Sequence, residues 1–308
     1  MRLGYIIYCL KIMVTAEVLQ IETNEFLGEK MYGGAIMKRS ISAAIKYAYS
    51  LDPNFEKNGG KMKIVSYHTN FFIPILKQQG SLTSVVCKHF GKGRRTLFIR
   101  SRFINGDREV CAETMTILTK VDAQPADALE NPLIENVCLQ NALESESQDS
   151  CSLISRNCPF YQKIECKKSF LNFIEPLQTK YNIGYLFNKE DCPASENQVC
   201  FSFDMKGSRD QNNEGLLAFL SDIFVVLLAA PDEDLGKLDF SSIDHSIQFT
   251  DYDISKTNRF VFKGRVSLRN GSTRTVYGKI YSHGMNLVCD ITQVILIHED
   301  RSVSKAKL

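Results

Sequence analysis

The sequence lacks the features that mark several broad classes of protein. Its formal net charge at pH 7 is only +2, which is too weak to indicate nucleic acid as a partner. It has no low-complexity tract, and 44% apolar with 23% charged residues is the composition of a globular protein. No segment reaches the roughly 18 to 20 uncharged apolar residues that cross a bilayer. The sequence therefore predicts a globular protein without a membrane-spanning helix.

Motifs for metals, nucleotides and serine nucleophiles are missing as well. The chain has 10 cysteines, but none forms a CxxC pair and no paired histidines accompany them, which disfavours a zinc site. Reduced and mostly buried thiols are the favoured interpretation. There is also no G-x-S-x-G elbow, no P-loop and no G-x-G-x-x-G pattern. We expect neither a metal ion nor a cofactor.

One apolar stretch contains a single acidic residue. The segment GLLAFLSDIFVVLLAA, residues 215–230, is apolar on every side of a helix except at Asp222. A lone carboxylate in such a place needs a partner, a raised pKa or a chemical role. Considered alone, Asp222 is more readily interpreted as a cap for a helix starting at Ile223, or as the partner of a core arginine.

The chain contains an internal repeat. The segment RTLFIRSRFINGDREVCAETMTIL, from Arg95, aligns with RTVYGKIYSHGMNLVCDITQVIL, from Arg274, and both predict a hairpin. SYHTNFF (66–72) and IDHSIQF (243–249) form a second matching pair upstream. One long helix is predicted before each pair, GGAIMKRSISAAIKYA from Gly33 and the apolar stretch described above. This order predicts an α+β fold in which each repeat wraps a curled antiparallel sheet around a helix.

The repeats set the expected domain boundaries. We expect residues 14–121 to form the first repeat and residues 161–300 to form the second. Residues 122–160 lose the periodicity and gather acidic side chains, which indicates a linker. Residues 301–308 are expected to form a flexible tail.

Both chain ends resemble targeting segments. The first 12 residues only faintly resemble a signal peptide, because Lys11 interrupts the apolar run and no cleavage site follows. A disposable extension, or a start at Met13, is the favoured interpretation. The last residues, Ala306, Lys307 and Leu308, are a close variant of the S-K-L peroxisomal address. They predict a protein of the peroxisomal matrix that is recognised by an import receptor.

Taken together, the motifs resemble a known family. MYGGAIMKRSISAA, SYHTNFFIP and GRRTLFIRSRFINGDREVCAET resemble the first half of the double hotdog acyl-CoA thioesterases, which include the bacterial thioesterase II type and its peroxisomal relatives. LLAFLSDIF, SSIDHSIQF and GKIYSHGMNLVCDITQ resemble the second half. The resemblance covers residues 25–120 and about 160–297. It implies a double hotdog fold that hydrolyses fatty acyl-CoA to free fatty acid and coenzyme A, with further homo-oligomerisation left open.

The resemblance also implies which residues act. The family's acid, hydroxyl and amide fall on Asp222, Ser242 and Gln293. Ser242 stands where the bacterial pattern has threonine, which keeps the hydroxyl and loses a methyl group. The three would hold a water, and Asp222 would activate it as a base. Backbone N–H groups near Gly33 and Gly34 are expected to meet the charge on the thioester oxygen, and the surrounding apolar side chains suit a fatty acyl tail.

The first repeat shows no comparable trio. In the hairpin alignment Met115 takes the place of Gln293, and the counterpart of Asp222 falls near Ser40. We therefore expect only the second repeat to carry out chemistry.

Two histidines match in the alignment. Pairing His68 with His245 puts Val65 in the place of Ser242. Since adjacent strand residues point to opposite faces, His245 is interpreted as a structural residue rather than a base for Ser242.

Two other functions stay open at this point. One is a non-catalytic acyl-CoA-binding protein on the same fold, which the retained polar trio disfavours. The other is a hotdog hydratase or dehydratase, which usually needs a histidine with the acid at the active helix, and this helix carries none. The basic segment 88–102 could contact coenzyme A phosphates, although a solvated rim is the favoured interpretation.

Overall fold

The computed structural model describes most of the two predicted repeats. The described residues are 15–18, 25–27, 30–57, 59–77, 83–93, 95–121, 183–185, 198–205, 213–229, 238–282, 284 and 286–299. The expected linker (122–160), the expected tail (301–308) and the first 12 residues lie outside the described residues.

Helices and strands follow one another in the order that the sequence predicts. In chain order the described elements are β1 (Thr15–Val18), β2 (Phe26–Leu27), β3 (Lys30–Met31), α1 (Gly33–Leu51), α2 (Pro53–Lys57), β4 (Lys61–Phe71), β5 (Ser84–Lys92), β6 (Thr96–Ile104), β7 (Val110–Val121), β8 (Ile183–Tyr185), β9 (Gln198–Asp204), α3 (Asn213–Ala229), β10 (Leu238–Phe249), a single 3-10 turn (Ile254–Lys256), β11 (Arg259–Asn270), β12 (Thr273–Ser282) and β13 (Leu287–Glu299).

Helix α1 begins at Gly33, as predicted, and buries one apolar face. Met37, Ile41 and Ala44 recur at helical spacing and are fully buried, because the residues three or four positions apart share a face. The helix ends at Leu51, where the following Asp-Pro pair disfavours helical geometry.

Helix α3 is buried on all described sides. Its apolar side chains from Leu216 to Val225 are at most 6% exposed, which confirms the expectation for a helix that is apolar all round. Asp222 lies inside α3. The interpretation of Asp222 as a cap for a helix starting at Ile223 is therefore wrong.

The described long strands form one antiparallel sheet. Its strand order is β1-β5-β6-β7-β4-β10-β13-β12-β11-β9-β8. Strands β1, β5, β6 and β7 lie on one side of the β4–β10 pair, and strands β13, β12, β11, β9 and β8 lie on the other. Both long helices contact the sheet and each other, and the apolar core lies between the sheet and the helices. The α+β class with an antiparallel sheet is confirmed.

Two β-bulges lie at matching places in β4 and β10. The register shifts at Val65 in β4 and at Ile243 in β10, and these side chains are 41% and 38% exposed. A bulge adds one residue to one strand of a pair. Matching the two bulges pairs Ser242 with Ile64, so the sequence alignment, which assigned Val65 to this place, is off by one residue.

The same register also changes which residue is equivalent to Gln293. Gln293 pairs with His245, and at the same distance from the bulge in β4, Tyr67 pairs with Thr116. Thr116 therefore occupies the position that the hairpin alignment assigned to Met115. The error arises because the alignment matched identical residues, such as His68 with His245, and these do not occupy equivalent places in the strand register.

The two histidines are consequently not equivalent. His68 pairs with Ser246 across β4 and β10, and its side chain is 43% exposed. His68 Nδ1 lies 2.5 Å from Ser246 Oγ, and Nε2 lies 3.1 Å from Asp244 Oδ2. His245 is instead fully buried on the opposite, helix-facing side of the sheet.

Candidate active site

The structure brings the three predicted site residues into direct contact. Asp222 is 1% exposed and Gln293 is 0% exposed. Asp222 Oδ1 accepts hydrogen bonds from Ser242 Oγ at 3.0 Å and from Gln293 Nε2 at 2.5 Å. Gln293 Nε2 also donates to Ser242 Oγ at 2.8 Å. The acid, the hydroxyl and the amide form a closed triangle, and Ser242 is its half-buried member.

Two strands and one helix produce this triangle. Asp222 projects from the buried centre of α3, and β10 and β13, which carry the other two residues, are hydrogen-bonded neighbours. Strand residues three positions apart normally face opposite sides of a sheet. The bulge at Ile243 cancels that alternation, so Ser242 and His245 both face the helix.

Helix α1 also contacts the Asp222 carboxylate. Gly34, in the first turn of α1, donates its N–H to Asp222 Oδ2 at 2.9 Å. The N-terminus of a helix carries partial positive charge and favours an anion beside it. No arginine of the described residues pairs with Asp222. Its negative charge is stabilised by neutral hydrogen-bond donors and by the N-terminus of α1.

The start of α1 needs glycine because other groups approach it closely. A Cβ on Gly33 would lie 2.9 Å from Asp222 Oδ2, and one on Gly34 would lie 2.5 Å from the backbone oxygen of Phe219. Gly34 was expected to donate to a thioester oxygen, but its N–H is committed to Asp222 in this structure. Gly33, the first residue of α1, is left as the candidate, since the first N–H groups of a helix have no partner within it.

His245, which the sequence analysis interpreted as a structural residue, is a direct neighbour of the trio. Its Nε2 lies 3.1 Å from Ser221 Oγ, and its Nδ1 lies 3.8 Å from Asp222 Oδ1. Burial lowers the pKa of His245 to about 4, although Asp222 and Gln293 act in the opposite direction. The ring is therefore neutral at physiological pH. Its only sequence signal is its position three residues after Ser242, which indicates a shared face only if the bulge is known.

The basic segment and a groove on the sheet lie away from the triangle. In the basic segment, Arg102 Nε donates to Glu113 Oε2 at 2.6 Å on an exposed part of the sheet, as a solvated rim would. A groove of about 620 Å³, lined by Tyr277, Lys279 and Thr292 among others, lies on the outer face of the sheet, since these residues alternate with inward-facing ones. Ala306, Lys307 and Leu308 lie outside the described residues.

Two searches of the described residues were negative. No cluster of three or more His, Cys, Asp or Glu side chains suited to a metal ion occurs in the part of the chain that the structure describes. None of the described helices combines the length and the apolar character that crossing a membrane would require.

Comparisons with known proteins bear on the fold. No protein-family model and no curated protein matches this sequence. Solved structures do match. The acyl-CoA thioesterase II TesB2 of Mycobacterium marinum has a TM-score of 0.60 at 15% identity, over 88% of this chain and 90% of its own. The tesB protein of Mycobacterium avium subsp. paratuberculosis has a TM-score of 0.58 at 15% identity, over 87% and 88%.

A third similar structure is described by its fold. It is a conserved protein with a hot dog fold from Alicyclobacillus acidocaldarius, with a TM-score of 0.59 at 13% identity, over 90% of this chain and 91% of its own. Likeness at such low identity concerns the fold, because one fold serves many functions. The chain has the hotdog fold, and the predicted resemblance to the thioesterase II type is confirmed as a likeness of structure.

Proposed function

We propose that the protein is a thioesterase that hydrolyses fatty acyl-CoA to free fatty acid and coenzyme A. The observation that carries the proposal is the buried Asp222 carboxylate, which is hydrogen-bonded to both Ser242 and Gln293. A desolvated carboxylate held by neutral donors is available as a base, whereas one paired with arginine is not. The structural neighbours named thioesterase II support the same activity.

In the proposed reaction a water attacks the thioester carbonyl carbon. Asp222 accepts a proton from that water as the new C–O bond forms. The tetrahedral intermediate then collapses, the C–S bond breaks, and the coenzyme A sulfur leaves as a thiolate that takes up a proton. Gln293 holds Asp222 and Ser242 in place, and Ser242 orients the water, which lowers the entropy lost at the transition state. Water and thioester approach past Ser242, because it is the half-buried member of the trio.

The negative charge of the intermediate requires donors near the carbonyl oxygen. Gly33 begins α1 beside Asp222, and the free N–H groups of a helix start are suited to a developing oxyanion. We assign this role to Gly33, while Gly34 holds the carboxylate in place.

We further propose that the chain is a double hotdog with the boundaries expected from the sequence, 14–121 and 161–300. In each half a long helix precedes the strands, and the two strand orders, β5-β6-β7-β4 and β10-β13-β12-β11, mirror each other about the β4–β10 pair. Only the second half is assigned chemistry. The places of Ser242 and Gln293 are taken by Ile64 and Thr116 in the first half, and Ile64 has no polar side-chain atom.

A hydratase or dehydratase is the second candidate, and one observation favours it. The structure places His245 beside Asp222, which supplies the histidine that the helix lacks. However, His245 Nε2 is engaged with Ser221 Oγ at 3.1 Å, and Nδ1 lies beside the Asp222 carboxylate, so neither ring nitrogen is available to a substrate. An assay that separates thiol release from water addition to an unsaturated acyl-CoA distinguishes the two, and binding without turnover would indicate the non-catalytic alternative.

The test of the proposed function is Asp222→Asn, which keeps the shape of the side chain and removes its basicity. We expect kcat for long-chain acyl-CoA, followed by thiol detection, to fall at least about 100-fold. Asp251→Asn is the matched control, because Asp251 is 99% exposed. A folded Asp222→Asn variant as active as the unmodified protein would refute the assignment.

The peroxisomal location is a further proposal. It rests on Ala306, Lys307 and Leu308 as a signal for the import receptor. A fluorescent protein that carries these residues at its C-terminus should enter peroxisomes, and removal of Leu308 should abolish entry. Equal import of both forms would contradict the proposal.

A further inference from the structure

The histidine behind the proposed catalytic trio has one ring nitrogen without a partner. His245 Nε2 is engaged with Ser221 Oγ at 3.1 Å. His245 Nδ1 is buried and makes no hydrogen bond to any described residue. A buried nitrogen left unsatisfied destabilises the folded state, so the groups around Nδ1 indicate what it bonds.

Gln293 has the complementary unsatisfied atom. Its Nε2 uses both protons, on Asp222 Oδ1 and Ser242 Oγ. Its Oε1 is buried and has no hydrogen-bond partner among the described residues. His245 and Gln293 are direct partners in the β10–β13 register, and both face the helices. An amide oxygen can only accept, and an imidazole N–H can only donate.

The negative charge of Asp222 determines which ring nitrogen of His245 carries the proton. Asp222 Oδ1 lies 3.8 Å from Nδ1, and both residues are almost fully buried. A lone pair on Nδ1 would face a carboxylate and an amide oxygen, whereas an N–H there is attracted to both.

Ser221 can satisfy the other nitrogen. Its hydroxyl donates to the Ala218 carbonyl at 2.8 Å and lies 3.1 Å from His245 Nε2, and rotation of the hydroxyl turns the same proton to Nε2. The Ala218 carbonyl lies inside α3 and accepts the helical N–H of Asp222. It therefore does not depend on Ser221, and the Ser221 proton can serve Nε2.

We infer that His245 is a positioning residue, which carries its proton on Nδ1 and donates it to Gln293 Oε1. This hydrogen bond holds the amide so that its NH2 group faces Asp222 and Ser242. A reversed amide would place its oxygen against the carboxylate and remove both donors from the trio. The inference rests on the proposed function of the trio, and it adds the residue that fixes the orientation of Gln293.

Two substitutions at His245 separate positioning from packing. Asparagine keeps an N–H near the place of Nδ1, whereas leucine fills the site without a donor. We expect His245→Leu to lower kcat at least about tenfold at unchanged KM, and His245→Asn to stay within about threefold of the unmodified protein. If the role of His245 is purely structural, His245→Leu should be the more active variant, because leucine is more easily buried than asparagine.

A double-mutant cycle with Gln293→Leu tests the route of the effect. If His245 acts through Gln293, then His245→Leu has little further effect on kcat once Gln293 is leucine. If the two changes lower kcat independently, so that their fold-changes multiply in the double variant, the inference is overturned. If Asp222→Asn loses all activity while His245→Leu stays active, only the role of His245 is refuted, and the proposed function stands. An active Asp222→Asn would refute the proposed function itself.

The proton position can be measured without any activity. Nitrogen-15 NMR of labelled histidine distinguishes a protonated Nδ1 from a protonated Nε2, and the chain has only 5 histidines to assign. His245→Asn identifies its signal by loss. We expect a neutral ring at pH 7 with the proton on Nδ1. A proton on Nε2 would overturn the inference even if the variants lose activity.

Discussion

Burial of His245 predicts a defined loss of stability in mild acid. In the folded protein, burial lowers the pKa of His245 from its ordinary value of 6.5 to about 4. His68 acts in the same direction, and Asp222 and Gln293 oppose it without cancelling it. The unfolded chain therefore binds a proton where the folded protein does not. The stability contributed by the neutral ring is present above pH 6.5 and is lost as the pH falls toward 4.

The size of the loss follows from linkage. One pKa unit corresponds to about 1.4 kcal/mol, so a fall from 6.5 to about 4 limits the loss to about 3 kcal/mol. Between pH 7.5 and pH 5 the expected loss is about 2 kcal/mol, because at pH 5 the unfolded histidine is almost fully protonated and the folded one is almost fully neutral.

The assay is reversible urea unfolding followed by circular dichroism at both pH values. The unmodified protein should lose about 2 kcal/mol more than His245→Asn between them, since asparagine does not titrate. His298→Asn is the matched control, because the His298 side chain is 42% exposed, and it should keep the full pH dependence. Equal losses in the unmodified protein and in His245→Asn would show that the ring is protonated in the folded state, which refutes the reasoning.

Two further predictions concern the residues around Asp222. Gly34→Ala should destabilise the protein by about 2 kcal/mol, because its Cβ would meet the Phe219 backbone oxygen at 2.5 Å; an unchanged melting temperature would contradict this close approach. Ser242→Thr should keep turnover within about threefold, because the hydroxyl is retained, whereas Ser242→Ala should lower kcat at least about tenfold. Equal rates for the two variants at Ser242 would show that its hydroxyl is not used.

The helices and hairpins could be predicted from local pattern. Helix α1 begins at Gly33 because apolar residues recur at helical spacing from there. The Asn-Gly pair at Asn270 predicts a two-residue turn, and Gly271 adopts φ +54° between β11 and β12. Such features depend on neighbours in the chain, which is why they can be derived from sequence.

The site was predictable only from the combination of motifs. Considered singly, Asp222 would be a cap, Ser242 a turn residue and Gln293 a residue on the solvent face of a strand. Gln293 is in fact 0% exposed, because its side chain faces α3 and bonds Asp222. Their order in the chain indicated a common site, and the contacts among them come from long-range packing.

The bulges explain what the sequence analysis missed. A bulge is a feature of the pairing between strands, so the residues around Ile243 carry no local sign of it. Without it, His245 is assigned to the wrong face. The hydrogen bond from Gly34 to Asp222 was equally hidden, because it depends on how closely α1 and α3 approach.

The hydrogen bond from Gly34 to Asp222 implies an order in which parts of the chain fold. Gly34 and Asp222 are 188 residues apart in the chain, whereas Ser242 and Gln293 lie in the same half as the acid. A chain synthesised from its N-terminus completes α1 long before the carboxylate that occupies its first turn exists. The closing of the site is therefore a late folding event, with a large loop to be joined. Turnover should report the packing of α1 against α3, and not the pairing of β10 with β13 alone.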